Sequence, residues 1–233
     1  MFVFLGSVLI HYPQVLVMSQ KMDAFFAARL DGYDEHMLSG ITGSTEFYPY
    51  TASLLPGNED ASVLDLGCGT GLELEYYFSV NPGARVTGID LSTDMLNALR
   101  NKFPKQDIRL INASYFDVPF GEKCYDAAVS VESLHHFTAE QKLGLYRKLR
   151  AALKDNGRFV LTDYFAESDI LEKEYFRNLA ELRKEQGLAD DTFYHYDTPL
   201  TVDHETEVLR NAGFGKIRIM KHWDATYTLI AER

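Results

Sequence analysis

Three closely spaced glycines have the pattern of a loop that binds a nucleotide-type cofactor. Gly67, Gly69 and Gly71 follow directly after the apolar run at 63–66, and a helical pattern begins where they end. That order predicts a parallel strand, a tight turn and the N-terminus of a helix. Because glycine has no Cβ, a ligand can approach the backbone of such a turn closely.

The spacing of the glycines distinguishes between cofactors. A dinucleotide loop has glycines at its first, third and sixth positions, whereas Gly71 comes one residue early for the sixth. No Lys-Ser/Thr pair follows the glycines, so the loop is not a P-loop. Asp65, two residues before Gly67, would repel a pyrophosphate and suits a cationic group instead.

A second carboxylate, Asp90, is placed to bind a ribose. It closes the next predicted strand, 19 residues after Gly71, where an acid can accept hydrogen bonds from both ribose hydroxyls. The predicted site therefore offers a carboxylate for an ammonium, a bare backbone and a carboxylate for a ribose. A ligand that fits these three features is an adenosine joined to an amino acid without a phosphate between them. S-adenosylmethionine (SAM) meets that description.

The segments around these residues resemble the class I SAM-dependent methyltransferases, especially the bacterial small-molecule branch. The similarity lies in residues 63–71, in 88–92 with Met95, and in 125–130 leading into 134–137, and it covers about residues 22–233. It implies an α/β fold: a doubly wound, mostly parallel sheet of seven strands in the order 3-2-1-4-5-7-6, with strand 7 antiparallel. It also implies SAM as methyl donor and S-adenosylhomocysteine as product.

The resemblance implies a set of cofactor contacts. Leu91 and Met95 would flank the adenine, and Tyr33 would cover the cofactor from an N-terminal helix, unless it is a packing tyrosine. The family often has an acid for the adenine amine where this chain has Asn112-Ala113-Ser114, so that contact would come from the backbone or from Ser114. The predicted cofactor-binding residues are Tyr33, Asp65, Gly67, Cys68, Gly69, Gly71, Asp90, Leu91, Met95, Ala113, Ser114 and Ser133.

Three further residues are candidates for catalysis. Methyl transfer is an in-line displacement, so the protein mainly positions and desolvates the reactants, and a base is needed only for an acceptor that must lose a proton. Glu132, His135 and His136 follow the fourth predicted strand, where ligands gather in open α/β sheets. One histidine could instead be a packed, hydrogen-bonded residue. No third ligand has suitable spacing to the pair, so we predict no metal site.

The elements that position these residues alternate regularly from residue 61 onward, which predicts a parallel sheet with helices on both faces. A turn at Asn156-Gly157 should precede the fifth strand, and the last two strands should form an antiparallel hairpin. Before the first strand, the helix at 44–55 has Pro49 in or near its first turn. The seven predicted strands lie at 63–66, 85–90, 108–111, 127–131, 158–162, 216–222 and 226–231.

The chain divides into an extension and one domain. Residues 1–20 are apolar but contain Pro13 and no charge, which fits neither a signal peptide nor a spanning helix. We therefore expect them to lie outside a single Rossmann-like domain at 21–233, with a tail that touches a membrane as the weaker alternative. Within it, a helical insertion at 164–212 would form a lid over the acceptor. Its helix at 168–186 has an apolar stripe, formed by Leu171, Tyr175, Leu179 and Leu182.

The insertion also carries the evidence on substrate class. It is rich in aromatic residues, which suits a planar or cationic small molecule, although the same residues could simply seal the lid. The run from His204 to Phe214 is similar to tRNA wobble-uridine modifying enzymes that use carboxylated SAM. A non-catalytic cofactor-binding protein is a third alternative, because this fold also hosts non-enzymes.

Composition narrows the partners. The formal net charge is −11 and the pI is near 5.1, which disfavours DNA and RNA as partners because an acidic surface repels phosphodiesters. The two cysteines, Cys68 and Cys124, form no metal or disulfide motif, so a reducing cytoplasm fits. We predict a cytoplasmic enzyme without a membrane partner, acting on a small molecule as a monomer or homodimer.

Overall fold

A computed structural model describes residues 19–189 and 192–233, and a single sheet forms its centre. The strands are β1 (Ser62–Leu66), β2 (Arg85–Asp90), β3 (Asp107–Asn112), β4 (Tyr125–Val131), β5 (Leu153–Tyr164), β6 (Lys216–Trp223) and β7 (Thr226–Glu232). Their order is β3-β2-β1-β4-β5-β7-β6. The first five strands pair in parallel, and β7 is antiparallel to both neighbours. The predicted doubly wound sheet and its strand order are confirmed.

Helices connect and cover the strands. In the described ranges these are α1 (Met22–Ala27), α2 (Tyr33–Gly40), α3 (Ser44–Ser53), α4 (Leu72–Val80), α5 (Thr93–Lys102), α6 (Ala139–Ala152), α7 (Asp169–Gln186) and α8 (Val202–Asn211), with a 3₁₀ turn at Leu134–His136. Local sequence signals explain several of their ends. Ser92 caps α5 by accepting a hydrogen bond from the Met95 N–H, and Thr138 and Gln141 form the predicted capping box of α6.

The side chains of the central strands are buried on both faces of the sheet. In β1, Leu64 and Leu66 point to one face, where α6 and α8 pack, and Val63 points to the other, where α3, α4 and α5 pack. Successive residues of a strand alternate between faces, so this one short strand contributes to both cores. The two layers hold the carboxyl ends of β1, β2 and β4 rigidly beside one another.

Two local predictions are sharpened by the structure. β5 begins at Leu153, earlier than predicted, because Leu153 pairs with Tyr125; after an irregularity, regular pairing with β4 resumes at Arg158, directly after the predicted turn at Asn156-Gly157. The chain bends tightly there, since a Cβ on Gly157 would lie 2.9 Å from the Lys154 carbonyl oxygen. Pro49, predicted in or near the first turn of α3, lies at the start of the second turn. Burial of α3 against the sheet offsets the backbone hydrogen bond that a proline cannot donate.

The predicted insertion differs from a packed helical layer. Residues Leu171, Tyr175, Leu179 and Leu182 are less exposed than the opposite side of α7, but no residue of this helix is fully buried. The reason is that part of the stripe faces a cavity instead of the sheet.

The N-terminal segment meets this insertion directly. The His195 N–H donates to the Gln20 carbonyl oxygen at 3.0 Å, and the Ser19 N–H donates to Gln186 Oε1 at 2.8 Å. Residues 19 and 20, which we predicted to lie outside the fold, therefore contact it, and residues 1–18 fall outside the described part. Within the described ranges, no helix combines the length and apolar character needed to span a membrane.

Candidate active site

A cleft opens where β1, β2 and β4 end, which is the place where ligands bind in open α/β sheets. It brings together nine residues predicted from the sequence and six others. The predicted ones are Tyr33, Gly67, Gly69, Asp90, Leu91, Met95, Glu132, Ser133 and His136. The others are Met22, Asp23, Phe26, Ser92, Tyr115 and Val131.

The glycine turn presents bare backbone to this cleft. Gly67 and Gly69 have φ angles of +73° and +47°, a region that side-chain-bearing residues rarely adopt. A Cβ on Gly67 would lie 2.1 Å from Ser133 Oγ, so close packing also requires glycine there. A Cβ on Gly69 would meet nothing within 4 Å, so the space above its backbone is open. That space fits a bound ligand.

Asp90 is held in place by the same turn. Its Oδ2 accepts a hydrogen bond from the Gly69 N–H at 2.9 Å, and its Oδ1 accepts one from the Ser92 N–H at 2.8 Å. Burial raises the pKa of Asp90, and these hydrogen bonds counter part of the rise. Each oxygen keeps a further lone-pair site, so the carboxylate can accept two ribose hydroxyls.

A pair of buried carboxyl groups lies beneath the turn. Asp65 Oδ2 and Glu73 Oε1 are sealed from solvent, and no other group of the described residues donates a hydrogen bond to them. Burial, together with the charge of Glu73 and a hydrogen bond to it, raises the pKa of Asp65 well above its usual range, so the two carboxyl groups share a proton. The ammonium of an amino acid would replace that proton and supply the missing positive charge. Asp65 itself does not line the cleft, and Glu73 was not predicted from the sequence.

Four other predicted contacts are not among the residues that line the cleft. Cys68 packs toward β2, because a Cβ on Gly88 would come within 2.8 Å of its Sγ. Gly71 starts α4 and packs against α5. The Ala113 N–H donates a hydrogen bond to the Asp90 carbonyl oxygen, and Ser114 Oγ accepts one from the Phe116 N–H. Their roles as cofactor contacts stay predictions.

Helix α2 is fastened over the cleft. Asp34 Oδ1 accepts a hydrogen bond from Thr70 Oγ1 at 2.5 Å, and its Oδ2 pairs with Lys102 Nζ at 2.6 Å. These contacts fix Tyr33, the neighbouring residue, against the opening. Burial, followed by the negative charge of Asp90, raises the pKa of Tyr33, so its phenol remains protonated.

The two adjacent histidines have different surroundings. His135 Nδ1 lies 2.6 Å from Asp163 Oδ1, whose other oxygen accepts the Leu134 N–H at 2.8 Å. Burial lowers the pKa of His135, but Asp163 and then Asp197 outweigh it and raise it to about 9. His135 is therefore the packed, hydrogen-bonded member of the pair.

His136 faces both the cleft and a second cavity. Burial and the neighbouring His135 lower its pKa, so its imidazole is neutral at neutral pH. Its Nδ1 lies 3.2 Å from the Tyr196 carbonyl oxygen and 3.2 Å from Asp197 Oδ1. A neutral imidazole in this place can accept a proton.

Glu132 adopts a backbone conformation that is unusual for a residue with a side chain. Its φ is +49°, in a region where such strain tends to mark functional sites. Its Oε1 accepts a hydrogen bond from Thr226 Oγ1 at 3.1 Å. Burial and the nearby Asp163 raise the pKa of Glu132 to about 8, which suits a group that exchanges a proton near neutral pH.

The second cavity shares the His136 wall with the cleft and has a volume of about 220 Å³. It lies between α1, the start of α6, α7 and the loop at 193–198. Its lining is mainly apolar and aromatic with a few polar groups, which is typical of small-molecule sites. The lining residues are Met22, His136, Phe137, Thr138, Gln141, Phe176, Leu179, Ala180, Arg183, Phe193, Tyr194 and Thr198.

Tyr115 shows what sequence reasoning missed. Its ring lines the cleft, and its hydroxyl lies 3.3 Å from the Ser133 carbonyl oxygen. Its only sequence signal is a position just after the third predicted strand. Met22 and Phe26 reach the cleft because α1 folds back over it, and Asp197 reaches the histidines from a distant loop. Spacing along the chain does not indicate such approaches.

The fold and the cleft define a Rossmann-like protein with a nucleoside-cofactor site, and comparisons give its family. Residues 63–157 match the family described as methyltransferase domain. The chain is 28% identical over 173 residues to demethylmenaquinone methyltransferase of Chlorobaculum tepidum, covering 70% of this chain and 69% of that protein. It is 29% identical over 151 residues to fatty-acid O-methyltransferase of Mycolicibacterium smegmatis, covering 61% and 54%.

A solved structure supports the same fold. A proposed O-methyltransferase of Nostoc punctiforme superposes with a TM-score of 0.69 at 20% identity, over 94% of this chain and 63% of that one. The chain thus spans about half to two thirds of the length of these proteins. The matched domain, the methyltransferase relatives and the fold together support a class I SAM-dependent methyltransferase with SAM as its cofactor. The resemblance in the sequence is confirmed at this level.

Proposed function

We propose that this enzyme transfers the methyl group of SAM to a small molecule bound in the cavity beside the cleft. The observation that carries the proposal is the shared wall: Met22 and His136 line both the cleft and the 220 Å³ cavity. An acceptor in the cavity is therefore a neighbour of the cofactor in the cleft, and in-line displacement brings the reacting atoms to about 3–3.5 Å.

The chain's own residues bind and orient the reactants in this proposal. Asp90 holds the ribose, the turn at Gly67 and Gly69 faces the amino-acid part, and Tyr33 closes the opening. Bound SAM supplies a methyl group already activated by a sulfonium. The protein therefore mainly aligns the acceptor and excludes water.

An acceptor that carries a proton also needs a base. Glu132 and His136 are both available, since each lines the cleft beside the cavity. Their pKa values, raised to about 8 for Glu132 and lowered for His136, allow proton transfer near neutral pH. His135, with its pKa raised to about 9 and its Nδ1 paired with Asp163, supports the site without acting as the base.

A cavity variant tests the acceptor assignment. Leu179→Trp fills the cavity from α7 and should raise the KM for the acceptor while leaving SAM affinity unchanged. Ile170→Trp on the same helix is the matched control, because Ile170 is 78% exposed and lines neither space. Equal KM values for both variants would contradict the assignment.

The acceptor can be sought with isotope-labelled SAM and fractionated metabolite pools. Wild-type protein should label a small molecule, and Asp90→Ala, which removes the ribose acceptor, should not. Label in tRNA instead of metabolites would favour the tRNA-modifying alternative. Failure to bind SAM in calorimetry would contradict the enzyme assignment as a whole.

Two observations favour ordinary SAM and a small molecule over tRNA. The described residues that line the cleft include no lysine or arginine to pair with a carboxylated cofactor, and the net charge of −11 opposes RNA binding. Mass spectrometry of the ligand that co-purifies with the protein separates the two cofactors. A cytoplasmic location and a monomeric or homodimeric state stay predictions, which cell fractionation and light scattering test.

A further inference from the structure

Three side chains of metal-binding types meet beside the acceptor cavity: His135, His136 and Asp197. Asp197 Oδ1 lies 3.2 Å from His136 Nδ1 and 3.6 Å from His135 Nε2, and the three ligand atoms lie within 4.8 Å of one another. Ligands about 2.0–2.2 Å from one ion are themselves roughly 3.0–3.5 Å apart. The two distances to Asp197 are close to this range.

Asp197 lies against the two imidazoles. Its side chain is 47% exposed, but Oδ1 is sealed from solvent, and His136 Nδ1 and His135 Nε2 lie 3.2 Å and 3.6 Å from it. A protonated imidazole donates to this oxygen, and a bound cation would take the place of that proton. The Tyr196 carbonyl oxygen, 3.2 Å from His136 Nδ1, accepts the N–H of that nitrogen in the metal-free protein, and the nitrogen must release this proton to bind an ion.

The surroundings orient the three groups in advance. Asp163 Oδ1 lies 2.6 Å from His135 Nδ1, which leaves Nε2 directed toward Asp197. Metal-binding histidines almost always donate their second N–H to such a carboxylate or carbonyl. The Thr198 N–H donates to the His135 carbonyl oxygen at 2.8 Å, so the loop that carries Asp197 is tied to the histidines.

We propose that His135 Nε2, His136 Nδ1 and Asp197 Oδ1 bind a divalent transition-metal ion of the zinc or iron(II) class. Two nitrogens and one carboxylate suit such an ion, whereas Mg²⁺ and Ca²⁺ prefer oxygen ligands. A second cluster, formed by Glu132, His135 and Asp163, uses the same histidine. We favour the first cluster because His135 Nδ1 is already engaged by Asp163 at 2.6 Å, whereas its Nε2 faces Asp197.

The place of the site gives it a role that rests on the proposed function. Three protein ligands leave coordination positions open, and His136 borders both cleft and cavity. An acceptor hydroxyl bound to such an ion would lose its proton to Glu132, which lines the cleft. Its oxygen would then form a bond to the methyl carbon while the carbon–sulfur bond breaks and the electron pair goes to sulfur. In this role the site would take an acceptor with a hydroxyl group, and Glu132 would be the base.

Titration of the full chain with metal salts tests the site. After treatment with EDTA and dialysis, Co²⁺ is followed by visible absorption, and Zn²⁺ and Mg²⁺ by calorimetry. We expect one Co²⁺ or Zn²⁺ per chain and much weaker binding of Mg²⁺. Asp197→Asn should weaken Zn²⁺ binding at least tenfold, and Asp163→Asn roughly 10- to 100-fold. Asp203→Asn is the matched control, an exposed acid in the following helix that should leave the affinity unchanged.

A variant that gains a spectroscopic signal distinguishes the loss of a metal ligand from misfolding. Asp197→Cys should bind Co²⁺ with a new thiolate-to-metal charge-transfer band, which only direct ligation at that position produces. Absence of binding by the wild type, equal Zn²⁺ affinity in wild type and Asp197→Asn, or tighter binding of Mg²⁺ would overturn the site. If protein shown to be metal-free transfers methyl groups at an unchanged rate, the ion has no role in the reaction, whether or not it binds. If methyl transfer is absent with every metal, the proposed function is wrong, and the titration still decides whether an ion binds at this site.

Discussion

Replacing Asp90 with asparagine separates the ribose assignment from the integrity of the turn. In the native protein the two carboxylate oxygens accept the Gly69 and Ser92 N–H groups. Asparagine has only one acceptor atom, so one of these N–H groups loses its partner. An unpaired buried donor costs about 1–3 kcal/mol, which for a chain of this size lowers Tm by about 2–12 °C.

The effect on the ligand is larger than the effect on the fold. One ribose hydroxyl loses a charged acceptor, and a hydrogen bond to a charged group contributes about 1.5–3 kcal/mol. Since about 1.4 kcal/mol corresponds to a factor of ten, the Kd for SAM should rise roughly 10- to 150-fold. Isothermal titration calorimetry at a temperature well below both Tm values measures this directly.

Nucleoside probes sharpen the assay. Wild-type protein should bind adenosine more tightly than 2′,3′-dideoxyadenosine, and Asp90→Asn should lose most of that difference. Asp107→Asn is the matched control, since this exposed acid starts β3 at the opposite end of the sheet. A folded Asp90→Asn protein that still prefers adenosine by the wild-type ratio would refute the ribose assignment.

Three further predictions concern charges around the site and on the surface. Asp65 and Glu73 must be ionised to pair with an ammonium, so the affinity for SAM should rise with pH. Calorimetry in buffers of different ionisation enthalpy should then show that protons are released on binding, and a proton count of zero would contradict this. Asp34→Ala unties α2, so SAM should dissociate about fivefold faster in stopped-flow experiments, the effect of roughly 1 kcal/mol; an unchanged rate would show that α2 does not gate the cleft. The Glu172 carboxylate raises the pKa of His204, so the folded state binds this proton more tightly than the unfolded state. The His204 contribution to stability is therefore full below its unfolded pKa and is lost as pH rises through the raised value, and His204→Asn should lower Tm more at pH 5.5 than at pH 9.

Local patterns in the sequence predict what local physics determines. The strand, turn and helix around Gly69, the acid at Asp90 and the capping box at Thr138 follow from short-range rules, and all three features are present. The strand order came from the family resemblance. By contrast, the start of β5 depends on pairing with Tyr125 on another strand, which the turn signal at 156–157 could not indicate.

The parts of the site that escaped prediction come from distant segments. Asp197 lies some 60 residues from the histidine pair and reaches it because Thr198 is hydrogen-bonded to the His135 backbone. Glu73, in contrast, is only eight residues from Asp65 and lies near it because α4 begins directly after the glycine turn. Contacts such as that of Asp197 are set by packing of whole elements, and residue types and spacing along one chain do not contain them.

The antiparallel direction of β7 has a practical consequence for handling the protein. Parallel strands end at the cleft, but β7 runs the other way, so Arg233 emerges at the opposite rim, where its N–H donates to the Gly157 carbonyl oxygen at 3.1 Å. On the cavity side, Lys21 pairs with Tyr194, which lines the cavity. Affinity tags and surface tethers therefore belong at the C-terminus, where a bulky fusion is kept away from substrate entry and product release.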